Sequence, residues 1–192
     1  MEKNMKEKTC CFTGHRAIPA RALPALAEEL EQTLRRLIGE GMRYFGAGGA
    51  LGFDTLAAET VLRLKGEYPG VRLILVLPCR DQTRGWKEAD VRRYREILSR
   101  ADKVVYTAEH YSPGCMHRRN RHLVENSSVC VAWCTRQTGG SAYTAQYARQ
   151  RGLRLVMLGE ERQAPLAPPG LLPYNEGEEC PARRGAAKRR LP

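Results

Sequence analysis

Short apolar runs alternate along the chain with longer segments in which apolar side chains recur every three or four residues. Thr9–Thr13, Arg43–Ala47, Val71–Leu77, Lys103–Thr107, Ser128–Cys134 and Leu153–Leu158 read as six strands. Leu26, Leu30, Leu34, Leu37 and Ile38 fall on one helical face, and Leu56, Ala57, Val61 and Leu64 on another. Further helices are expected from Trp86 to about Arg100, over Cys115–Asn126, and from Thr138–Ser141 to near Gly152. Gly39 and Gly41 end the first helix, and Pro78 closes the third strand. Val71–Leu77 is almost continuously apolar, as expected of a parallel strand covered on both faces.

Strand and helix alternate throughout, which implies right-handed crossovers and a parallel sheet with helices on both sides. The expected fold is therefore α/β: a Rossmann-like, doubly wound, three-layer α/β/α sheet forming one domain. Residues 9–159 make up that domain, and residues 1–8 are an N-terminal extension. From Glu160 onward prolines stand at 165, 168, 169, 173, 181 and 192 among charged clusters. Residues 160–192 read as a flexible basic and proline-rich tail.

In an open parallel sheet, ligands bind beyond the carboxyl ends of the strands, where the strand order reverses. With the order 3-2-1-4-5, the loops after the first and fourth strands flank that crevice, and those after the second and fifth adjoin it. Each of these loops carries chemistry. Thr13-Gly14-His15-Arg16 combines a close turn with donors for phosphate or sugar. Gly48-Gly49-Ala50-Leu51-Gly52 is a glycine-rich turn at a helix start, followed by Asp54, a helix cap or an acceptor for a ribose hydroxyl. In the helix after the fourth strand, the 3.6-residue period turns Arg119 and Asn120 inward with Met116 and Leu123. A buried guanidinium needs a carboxylate or a ligand anion beside it. Gly139-Gly140-Ser141, with Thr144 one turn on, offers N–H groups and a hydroxyl to a phosphate at a helix N-terminus. Arg84 and Trp86 can form a lid over a base or ribose, although Trp86 also suits plain packing.

The net charge is +11. The tail holds six basic and five acidic residues, so about +10 belongs to the folded body. That favours an anionic partner: nucleotide, nucleic acid or acidic protein. Seven cysteines stand at 10, 11, 79, 115, 130, 134 and 180 without a C-x-x-C pair. Cys130 and Cys134 lie about 13 Å apart at strand rise, too far to share a metal. Reduced, buried thiols and no metal site are expected. No apolar stretch is long enough to span a membrane and the first eight residues lack the apolar core of a signal peptide, so a cytoplasmic location is expected.

Taken in order, Cys-Cys-Phe-Thr-Gly-His-Arg at 10–16, Gly-Gly-Ala-Leu-Gly-Phe-Asp with Ala57-Ala58-Glu59, Arg119-Asn120-Arg121, and Gly139-Gly140-Ser141-Ala142-Tyr143-Thr144-Ala145 resemble the YpsA-like branch of the SLOG superfamily. That superfamily joins DprA/Smf with the LOG phosphoribohydrolases, and the likeness covers roughly residues 9–158. It implies a nucleotide or nucleotide-derived ligand, of the ADP-ribose, NAD or nucleoside phosphate kind, bound by a sensor or regulatory domain that is often homo-oligomeric. No further cofactor is implied. Two alternatives stay open. LOG-like cleavage of a nucleoside monophosphate's N-glycosidic bond needs a carboxylate, but the position of the LOG glutamate is Gln146, an amide that is neither acid nor base. Asp54 and Glu59 remain candidates for that role. DprA-like single-stranded DNA binding is suggested by Gly-Ser-x-x-Thr-Ala and Arg-Asn-Arg, yet the sequence shows no run of aromatic residues interleaved with basic ones.

Overall fold

The computed structural model describes residues 2–159. The chain runs α1 (Glu2–Glu7), β1 (Thr9–Gly14), α2 (Leu23–Gly39), β2 (Tyr44–Ala47), α3 (Phe53–Glu67), β3 (Arg72–Leu77), α4 (Glu88–Arg100), β4 (Lys103–Tyr106), α5 (Cys115–Glu125), β5 (Val129–Trp133), α6 (Gly140–Gln150) and β6 (Arg154–Met157). Every strand and helix expected from the apolar pattern is present, with ends shifted by one to three residues. The one addition is α1, a single polar turn within the expected N-terminal extension. The Thr9 hydroxyl donates to the Met5 carbonyl at 2.6 Å and anchors it. The expected tail, with Cys180, lies outside the described residues.

All strands pair in parallel, in the order β4-β3-β2-β1-β5-β6. This corrects the expected order: β4 extends the β3 edge instead of standing beside β1, and β5 takes the place next to β1. Bonds at both ends of β4 hold it there. The Asp102 N–H donates to the Leu73 carbonyl at 2.9 Å, and its carboxylate accepts the Leu73 N–H at 2.9 Å. Beyond the other end of β4, the Thr107 N–H reaches the Leu77 carbonyl at 2.9 Å. These bonds clamp β4 to β3, while β5 is buried along its whole length, as an interior strand must be.

Helices α2, α3 and α4 pack on one face. Their apolar stripes close over Phe12, Phe45, Leu73 and Leu75, and the core there includes Leu30, Leu34, Leu37, Phe53 and Leu64. Phe12 stacks on Phe45 at 6.3 Å and meets Phe53 edge-on at 6.5 Å. The other face carries α5 and α6, over a smaller core of Cys11, Val76, Leu123, Val124, Cys130, Ala148 and Leu153, with α1 at its edge. Six cysteines are buried and unbonded to one another. Among the described residues no helix is long and apolar enough to cross a membrane.

Candidate ligand-binding cleft

From β1 the chain leaves toward β2, and from β5 it leaves toward β6, so the carboxyl ends of these two neighbours part around a cleft. The cleft therefore lies between β1 and β5, and not between the first and fourth strands. Four of the expected loops still meet there, because α5 crosses back from β4 to β5 over the sheet.

Gly14 ends β1, and its carbonyl accepts the Ser141 hydroxyl at 2.7 Å. The Thr13 hydroxyl approaches the Ser141 carbonyl at 3.5 Å. His15 ties two loops together: its carbonyl accepts the Phe53 N–H at 3.0 Å, and its Nε2 accepts the Thr135 N–H at 2.7 Å. Its ring meets Trp133 edge-on at 5.5 Å. Burial, and then the charge of Arg136, hold the His15 imidazole below the usual histidine range, which suits a ring nitrogen used as an acceptor. Arg16 is exposed at the mouth.

Behind this layer lies a buried ion pair. Arg119 and Asp54 approach at 3.6 Å, with side chains 6% and 9% exposed. The Arg119 guanidinium also donates to the Gly48 carbonyl, and its Nε donates to Asn120 Oδ1 at 2.7 Å. Asn120 Nδ2 donates to the Thr144 hydroxyl at 2.9 Å, and that hydroxyl donates to the Gly140 carbonyl at 2.7 Å. One polar chain thus links the turn after β2, through α5, to the start of α6. Burial pushes the Asp54 carboxyl up, against the pull of Arg119 and the Ala50 N–H; burial likewise lowers Arg119, against the pull of Asp54. Asp54 is thus the carboxylate beside the buried Arg119 guanidinium.

The glycine-rich turn serves this arrangement. A Cβ on Gly48 would stand 1.8 Å from Arg119 Nη1, so only glycine admits the guanidinium. Gly52 has φ +75°, and a Cβ there would meet the Arg16 carbonyl at 2.4 Å. These two glycines admit the protein's own groups. Gly49 is held by the buried Gln82, whose amide donates to its carbonyl at 3.0 Å. Gly140 differs: it stands in α6, and a Cβ there would touch nothing within 4 Å.

The remaining residues singled out in the sequence take the following places. Glu59 faces α4 and pairs with Arg93, so it is not brought to the cleft. Trp86 packs edge-on against Tyr94 at 5.7 Å, and Arg84 is exposed beside it. Gln146 is buried within α6. Gln82, Thr135 and Arg136 were not singled out in the sequence. Each acts through a backbone group or a charge of a distant loop, and no local pattern marks that.

Sequence reading also missed a cluster on the outer side of α5 and α6. Tyr143 and Tyr147 stack with ring centroids 6.2 Å apart and planes 2° from parallel. Arg121 donates to the Tyr143 hydroxyl at 3.2 Å and lies 5.5 Å from the Tyr147 ring centre, while His117 meets Tyr143 edge-on at 4.9 Å. Aromatic and basic side chains interleave here across two helices, although they do not along the chain.

A model of the YspA SLOG family matches residues 11–155. A UPF0398 protein of Halalkalibacterium halodurans is 30% identical over 134 residues, covering 68% of this chain and 71% of its own. A UPF0398 protein of Bacillus thuringiensis is 29% identical over 130 residues, covering 66% and 71%. Among solved structures, DNA processing protein A of Streptococcus pneumoniae superposes with a TM-score of 0.58 at 18% identity, over 80% of this chain and 50% of that one. DNA processing protein A of Helicobacter pylori, solved for its single-stranded DNA binding mode, gives 0.57 at 17%, over 81% and 66%. The chain thus spans half to two thirds of those two proteins and shares their fold. With three quarters of its length matched and the sequence motifs meeting at one cleft, the chain belongs to the YspA SLOG family.

Proposed function

We propose that the cleft between β1 and β5 binds a phosphate-bearing nucleotide or nucleotide-derived ligand, and that the protein acts as a sensor or regulatory domain. The observation that carries this is the start of α6: helical N–H groups at the switch point, open space over Gly140, and Arg16, His15 and Arg136 around the mouth. A helix N-terminus beside Arg16 and Arg136 favours a phosphate. Hydrolysis is left out of the proposal, because Asp54 is held by Arg119 and Glu59 by Arg93.

The test is calorimetry and thermal shift with ADP-ribose, NAD and nucleoside monophosphates on the wild type and on Gly140→Asp. That substitution meets no steric obstacle and places a negative charge where the phosphate would sit. Saturable binding that Gly140→Asp abolishes, with the melting temperature of the free protein unchanged, is expected. No binding by the wild type at millimolar ligand, or full binding by Gly140→Asp, would sink the reading.

The Tyr143–Tyr147–Arg121–His117 cluster favours a second reading, single-stranded DNA stacked along α5 and α6. Binding would then weaken steeply with salt, and Tyr143→Ala with Tyr147→Ala would weaken it at every salt concentration. Affinity indifferent to both changes removes this reading.

A further inference from the structure

A second cavity lies away from the cleft, on the face that carries α5 and α6. The crossover from β4 to β5 spends its one helix, α5, over the middle of the sheet. Beyond α5, Ile74 of β3 and Val105 of β4 are only partly covered on this side. The resulting hollow has a volume of about 450 Å³, within the range of small-molecule sites. Its floor is apolar: Ile74 and Val76 of β3, Val105 of β4, and Leu123 of α5. Register explains the floor, since Val76 pairs with Val105 and Ile74 with Lys103, so alternate residues of both strands share this face. Gly46, beside Ile74, carries no side chain; Leu123 occupies that space, and a Cβ on Gly46 would come within 2.9 Å of it.

The rim differs from the floor. Lys6 of α1 and Lys103 at the start of β4 are exposed on it, with His122, Asn126 and Ser127 beside them, and among the described residues no carboxylate lines the hollow. An apolar floor under a rim that carries two exposed lysines is complementary to one kind of small molecule. Its charge also disfavours a second copy, which would bring the same lysines together at a two-fold contact.

We infer that this hollow is a binding site for a small amphipathic anion, an aliphatic or aromatic body with a single carboxylate or sulfonate head. The body lies on Ile74, Val76 and Val105, and the head meets Lys6 and Lys103. This site is independent of the cleft, because none of its lining residues belongs to the cleft loops.

Calorimetry on the full chain tests it, with decanoate as probe and decanol and decyltrimethylammonium as uncharged and cationic controls. Decanoate should bind saturably at one site, with both controls at least about tenfold weaker, since a charge-assisted contact is worth about 1.5–3 kcal/mol. Lys6→Glu with Lys103→Glu, two exposed changes, should weaken decanoate by about tenfold or more, and Val105→Trp should fill the floor and abolish binding. Equal binding of decanoate and decanol, or decanoate affinity unchanged by the double charge reversal, would overturn the inference. So would a wild-type oligomer that sedimentation shows Val105→Trp dissociating, since a second copy would then cover the face.

Discussion

Asp54 and Arg119 act as one unit, and breaking it from either side should be worse than removing it. A buried charge left alone costs about 3–5 kcal/mol, whereas an apolar pair of similar volume is often neutral. Asp54→Ala should therefore lower stability by about 3–5 kcal/mol in urea denaturation, and Asp54→Leu with Arg119→Met should recover most of it. Gly48→Ala puts a Cβ at 1.8 Å from the guanidinium and should destabilise for the same reason. Its effect should shrink in an Arg119→Ala background, as residues that share one contact are not additive, but not vanish, since the same Cβ would stand 2.7 Å from Asp54 Oδ2. His15 supplies a pH test. Its folded pKa lies below the ordinary 6.5, so below that pH the unfolded chain binds more protons. Its contribution is full above about pH 6.5 and is lost as pH falls through the folded value. His15→Gln keeps an acceptor for Thr135 without titrating, so unfolding curves from pH 5 to 7.5 should be flatter for it than for the wild type, near their acid end.

At the scale of elements, helix α2 shows which forces hold the layers. Leu30, Leu34 and Leu37 are fully buried against the sheet, whereas Arg35 on the opposite side reaches Glu31 and Glu67 in exposed pairs. Leu34→Ala should cost about 2–5 kcal/mol, from lost transfer energy and the cavity left behind. Glu67→Ala should leave the urea midpoint almost unmoved, because solvent screens such pairs. Pattern reading works well for such helices because apolar period and burial coincide. It works less well for α5. Helical spacing turns Arg119 and Asn120 inward, but it cannot say that Asp54, 65 positions earlier, waits there. Nor can it say that Arg121 will meet Tyr143 and Tyr147 from α6, since that depends on how the two helices lie side by side.

For the whole molecule, six of the seven cysteines are buried and unbonded, spread through both cores and the strand ends. Burial pushes the Cys79 and Cys134 thiols up to about 12, far from the thiolate that reacts. A thiol reagent should therefore titrate at most one cysteine per native chain, and the remaining six only as denaturant unfolds it. Early labelling of two or more in the native protein would contradict this packing.

The chain's apolar periodicity determined the six strands, the five long helices and the parallel, doubly wound class, because each element must turn a continuous apolar surface toward the sheet. It also marked the loops that meet at the cleft, since glycine, charge and a helix start are local properties. Strand order was not legible: the 3-2-1-4-5 expectation failed on a backbone bond and a carboxylate bond between Asp102 and Leu73, which join residues 29 apart. That Asp54 stands beside Arg119, and Glu59 beside Arg93, likewise depends on distances in space that no local pattern carries. The tertiary structure alone decided them, because a charge buried among apolar side chains takes whatever opposite charge the packing brings within reach.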